Sequence, residues 1–187
     1  MTPILGIWAS QISGYLWSPQ GAYDALATVT VPSGGAATVD FVGIPTGYKH
    51  LQIRGIARTT QAVSEPALYY RFNGDAGSNY SVHRLGGNGS SAYAQSSTST
   101  TVIGNYGPAG ANLASNIFGT NIFDVLDYAN TNKNKTARLL TGLDYNGGGN
   151  VALCSGAWYN TSAITSISIF SDANFTQFTT FALYGVK

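Results

Sequence analysis

From residue 25 onward the chain is a succession of short runs in which apolar side chains recur at every second position. Gly, Asn, Ser, Asp or Pro closes each run. A period of two sends alternate side chains to opposite faces of an extended backbone, so such runs read as strands with one face on a core. ALATVTV sets Ala27, Val29 and Val31 against Thr28 and Thr30, and PSGG then turns the chain into AATVDFVGI. KHLQIRGIART sets Leu51, Ile53 and Ala57 against Gln52, Arg54 and Arg58. ALYYRFN sets Leu68, Tyr70 and Phe72 against Tyr69, Arg71 and Asn73. In NIFDVLDY, Phe123 and Val125 alternate with Ile122 and Leu126, so both faces are expected to be covered there. KTARLLTGLD, VALCSGAWY, AITSISIF and TQFTTFALYGV complete the series. About nine or ten strands result, with links too short for parallel crossovers. No segment sustains a helical period, and no solenoid or propeller repeat is visible. The pattern implies an all-β fold, an antiparallel β-sandwich, jelly-roll-like at this length. The Gly- and Ser-rich stretch 73–120 is expected to form long loops with one or two irregular strands.

Composition narrows the function. Charged residues make up 9% of the 187 residues and the net charge is +1, whereas an ordinary globular chain is about 25% charged. With no dense basic stretch, the phosphate attraction that drives nucleic-acid binding is missing. A surface so close to neutrality repels copies of itself weakly and tolerates association. Hydrophobic content of 44% and aromatic content of 12% exclude a disordered chain. Cys154 is the sole cysteine, so no disulfide forms within the chain, and VALCSGAWY marks it as a buried thiol rather than a nucleophile. Five Asn-x-Ser/Thr sequons follow from the abundance of those residues.

Catalytic signatures are absent from the sequence. Only His50 and His83 could serve a Ser-His-Asp triad, and no G-x-S-x-G elbow singles out a serine. Zinc has no Cys/His spacing to occupy. Asn73, Asp75 and Asn79 in NGDAGSN have the oxygen spacing of a calcium loop but lack its closing Glu, and read as a turn. Asp124, Asp127 and Asp144 are candidate carboxylate partners, yet Asp124 and Asp127 are expected on opposite faces of one strand. GGGN at 147–150 reads as a hairpin tip, not a phosphate loop. No catalytic residue, metal site or cofactor is therefore assigned. Tyr is in surplus, with twelve copies, and Tyr80 and Tyr93 in the loop-like stretch are the candidate glycan contacts.

The phrases ILGIWASQISGY, IPTGYKHLQIRGIART, YYRFNGDAGSNYSVHRL, FDVLDYANTNKNKT, TSAITSISI and FALYGVK together resemble small virion proteins of tailed bacteriophages. The resemblance spans nearly the whole chain and includes no catalytic motif. It implies a trimeric β-sandwich decoration (cement) protein on the outer capsid surface, bound to itself and to the major capsid protein. The alternative it implies is the distal module of a tail fibre or tailspike, attached to a tail component and recognising host surface polysaccharide. Neither role involves nucleic acid or a membrane.

The first twenty residues carry no charge but seven large apolar side chains, Ile4, Leu5, Ile7, Trp8, Ile12, Leu16 and Trp17. Polar residues interrupt every apolar run, which fits neither a signal peptide nor a membrane span. Ordering a residue costs about 1–2 kcal/mol and burying a large apolar side chain returns about 1.5–3 kcal/mol, so these anchors do little more than offset their own ordering. Residues 1–22 are accordingly expected to be an attachment arm, fixed where it docks on a neighbouring subunit or on the particle, with residues 23–187 forming one sandwich domain. An edge strand of the sandwich is the competing expectation for the same residues.

Overall fold

The computed structural model describes residues 21–187. Twelve strands and no helix occur among them. An eight-stranded sheet contains β1 (Tyr23–Thr30), β3 (His50–Ala57), β5 (Tyr80–Gly87), β6 (Ala92–Thr100), β8 (Gly119–Leu126), β9 (Lys135–Asp144), β10 (Gly149–Trp158) and β12 (Thr180–Val186). A four-stranded sheet contains β2 (Ala36–Val42), β4 (Ala67–Phe72), β7 (Ile103–Tyr106) and β11 (Ser166–Phe175). The first runs β1-β12-β3-β8-β9-β10-β5-β6 and the second β2-β11-β4-β7, with every strand pair antiparallel. The molecule is an antiparallel β-sandwich. Set aside the hairpins β5–β6 and β9–β10, and the chain crosses between the sheets at every step except from β4 to β7, with β1, β3, β8 and β12 in one sheet and β2, β4, β7 and β11 in the other.

The alternation read from the sequence accounts for the core. Leu51, Ile53 and Ala57 of β3 and Leu68, Tyr70 and Phe72 of β4 are buried facing each other across the sandwich, with Phe123, Leu139, Phe181, Ile167 and Ile169 around them. Tyr70 stacks on Phe123 with ring centroids 3.9 Å apart, and its hydroxyl donates to Asn121 Oδ1 at 2.8 Å, so the polar tip of a buried ring is satisfied. Lys135 is also buried. Its ammonium donates to the carbonyls of Asn130, Lys133 and Thr161 at 2.7, 3.0 and 2.8 Å and ties the β8–β9 and β10–β11 links to one end of β9.

Three expectations need correction. In β1 the ladder shifts between Ala25 and Ala27, and the extra residue of a bulge changes which side chains point inward. Leu26 and Val29 therefore pack on the core while Ala27 is exposed. In β8, Ile122 and Leu126 are open to solvent, because the large sheet has a second layer on one side only. The stretch 73–120 holds three strands, β5, β6 and β7, and the start of β8, rather than one or two irregular ones. β6 escapes detection because it is exposed on both faces over most of its length and needs no apolar alternation.

Candidate interaction surface

The outer face of the eight-stranded sheet carries side chains that no part of the described chain covers. The register aligns them in rows across the strands. Ala94 of β6 sits beside Leu85 of β5, Leu85 beside Leu153 of β10, Leu153 beside Leu140 of β9, and Leu140 beside Ile122 of β8. Five adjacent strands at about 4.8 Å spacing make this apolar row about 19 Å long. Its four large side chains, together with Val151 in the next row, are 38% to 62% exposed. Isolated exposed leucines are ordinary on proteins, whereas a contiguous apolar stripe marks a surface that meets something.

A polar row lies alongside. Ser96, His83, Ser155, Arg138, Asp124 and Gln52 follow one another across β6, β5, β10, β9, β8 and β3. Arg138 Nη2 donates to Asp124 Oδ2 at 2.8 Å, Gln52 Nε2 to Asp124 Oδ1 at 2.6 Å, and Arg54 Nε to Gln52 Oε1 at 2.6 Å. The Arg54 guanidinium then lies 5.0 Å from the ring centre of Tyr23 and 5.2 Å from that of Tyr184. These charges are committed to one another along the sheet, so the apolar row has a rigid border.

No protein-family model, curated protein or solved structure matches this chain. The reading of its function therefore rests on its own residues.

The arm anchors Ile4, Leu5, Ile7, Trp8, Ile12, Leu16 and Trp17 lie outside the described residues. Of the two tyrosines nominated for glycan contact, Tyr80 is withdrawn. It is fully buried and stacked on Trp158, and its hydroxyl accepts the Phe72 N–H at 3.1 Å and donates to the Asp75 carbonyl at 3.1 Å. Burial pushes its phenol up to about 12, the Phe72 N–H offsetting part of the rise. Tyr93 is half-buried, its ring lying over Gly86, where a Cβ would come within 2.4 Å of it. Its hydroxyl lies 3.2 Å from Asn150 Oδ1.

The remaining candidates are structural. His50 Nδ1 accepts the Asp127 N–H at 3.0 Å, and His83 is on the outer face between Ser96 and Ser155, with β8, β9 and β10 between the two imidazoles. Asp127 lies beyond the end of β8, at φ 48°, rather than on the strand opposite Asp124, and is paired with Lys133. Asp144 accepts the Asn146 N–H at 2.9 Å in the β9–β10 turn, at the GGGN hairpin tip. Asp124 faces Arg138, six residues along β9 from Asp144 and so about 20 Å away, beyond the roughly 5–9.5 Å that glycoside hydrolysis requires. Asp75 closes the NGDAGSN turn by accepting from Gly77 N–H at 2.9 Å and Asn79 Nδ2 at 2.9 Å. Among the described residues no three His, Cys, Asp or Glu side chains are grouped to hold a metal, and no helix is long and apolar enough to cross a membrane. Sequence reasoning missed the apolar row. Leu85, Leu140 and Leu153 lie on the strand faces opposite the buried Val82, Leu139 and Cys154, and only the register brings them together.

Proposed function

We propose that this chain is a structural protein of a tailed-phage virion, a decoration protein that binds the assembled capsid as a homotrimer and reinforces it. The observation that carries the reading is the apolar row Leu85–Leu153–Leu140–Ile122, an uncharged ledge on the outer face of the large sheet, suited to grip another protein over an extended area. Alternation of the strands between the two sheets supports reading the underlying eight strands as a jelly roll, with β5–β6 and β9–β10 widening one sheet into that ledge. The near-neutral surface adds to it, since copies crowded on a lattice repel one another little. The seven apolar anchors of residues 4–17 supply the second attachment point in this reading, and three symmetric copies multiply a weak grip by avidity.

The alternative is a tail-fibre or tailspike module that holds host surface polysaccharide. The half-buried Tyr93, on the overhanging strand β6, favours it. Quantitative mass spectrometry of purified virions separates the readings. On the order of hundreds of copies per particle, as a symmetric shell demands, supports the capsid, a few dozen or fewer supports the tail, and absence from the virion overturns both.

A further inference from the structure

At the mouth between the two sheets, beside β7, lies a pocket of ≈ 280 Å³ lined by Gln61, Glu65, Tyr69, Asn105, Tyr106 and Asp172, with Arg84 at its wall. Two of its polar atoms are buried without a hydrogen-bond partner, Asn105 Nδ2 and Gln61 Oε1. Asn105 is 1% exposed, and its own Oδ1 already accepts the Tyr106 N–H at 2.9 Å, which fixes the amide in place. Buried polar groups are nearly always paired in folded proteins, so an orphan donor and an orphan acceptor lining one pocket are met by a group that both donates and accepts, solvent or a ligand hydroxyl.

The other walls specify which. Glu65 is held by Tyr145 Oη and Asn150 Nδ2, each at 3.3 Å, and Asp172 by Tyr69 Oη at 3.2 Å, so both carboxylates are positioned and retain free lone pairs. The nearby Arg84 has its Nε committed to the Gly104 carbonyl at 2.8 Å. Two carboxylates against one guanidinium disfavour an anionic ligand. Tyr69 and Tyr106 contribute aromatic surface, and Tyr106 is 41% exposed. A hydroxyl group donates and accepts at once, and a sugar ring offers several hydroxyls around an apolar C–H face. The volume lies just below that of common ligand pockets, which run about 300–1,000 Å³, and suits one ring rather than a chain.

We infer that this pocket binds one neutral pyranose residue, free or at the end of a glycan, through Asn105, Gln61, Glu65 and Asp172, with Tyr106 against the ring. The inference deepens the adhesion reading above and rests on it only for the source of the sugar. Saturation-transfer NMR on the full chain, with the methyl pyranosides of glucose, galactose, mannose and N-acetylglucosamine, tests it. At least one should bind, and titration should show its affinity weakened about tenfold or more by Tyr106→Ala and by Asp172→Asn. Methyl glucuronoside should bind more weakly than methyl glucoside. Binding of the monosaccharide but not of a polysaccharide ending in it would uphold the pocket while removing the adhesion reading. No transfer to any of the four pyranosides at about 10 mM, equal affinity in both variants, or preference for the glucuronoside would overturn the inference.

Discussion

The indole N–H of Trp158 donates to Asp75 Oδ2 at 2.7 Å, joining the last residue of β10 to the turn that follows β4. Trp158 is fully buried, so its N–H has no route to water, and Asp75 is its partner. The same carboxylate accepts from Gly77 and Asn79, while the Asp75 carbonyl receives Tyr80 Oη. One turn thereby secures the aromatic cluster of Phe72, Tyr80 and Trp158.

The bond from Trp158, followed by that from Asn79, holds the Asp75 carboxyl below its ordinary value. A lowered folded-state value means that the stabilisation is complete above the unfolded value of about 3.9 and is lost as pH falls through the folded one. Asp75→Asn should cost about 1–3 kcal/mol near neutrality, because an amide has one acceptor oxygen where the carboxylate has two, so the indole N–H and the Gly77 N–H can no longer both be satisfied. Urea unfolding of both proteins at about pH 6 and about pH 3 should show the gap between them narrowing in acid. Parallel losses would assign the stabilisation elsewhere.

Lys135→Met leaves the carbonyls of Asn130, Lys133 and Thr161 without their common donor. Each carbonyl loses a hydrogen bond from a charged donor, worth about 1.5–3 kcal/mol, so a loss of about 3 kcal/mol or more is expected despite the added apolar side chain. Thermal unfolding followed by circular dichroism measures it. A variant as stable as the native protein would show that the two links hold without the ammonium.

Burial raises the Cys154 thiol above its usual value, with Arg84 opposing part of the shift, and the side chain is fully enclosed. Ellman's reagent at about pH 8 should find no thiol in the native protein and one per chain after denaturation. Rapid reaction of the folded protein would contradict the packing around β10.

What the sequence makes legible follows from where burial imposes a pattern. Leu68, Tyr70 and Phe72 alternate with half-exposed partners because β4 is covered on one face, and the sequence records that directly. AYAQSSTST of β6 is uncovered on both faces, so nothing in its composition separates it from a loop. Tyr80 misleads for a different reason: a tyrosine among glycines and serines looks like a surface ring, but its hydroxyl finds backbone partners inside the fold. Ala27 is misplaced by a bulge that a strict period of two cannot anticipate. The outer apolar row depends on the register of five strands, and Asn105 and Gln61 become informative only once their unpaired atoms are seen to line one pocket.

Leu140 and Leu153 face solvent side by side, so replacing them with Lys and Asp respectively, an opposite-charge cross-strand pair, should change stability by only about 0.5 kcal/mol per site while placing charge in the middle of the row. The decisive measurement is co-sedimentation of the native protein and of this double variant with phage particles prepared without the protein. The account predicts that the native chain pellets with the particles and that the variant, with an unchanged circular dichroism spectrum, stays in the supernatant. Equal pelleting of the two, or a native protein that never leaves the supernatant, would contradict it.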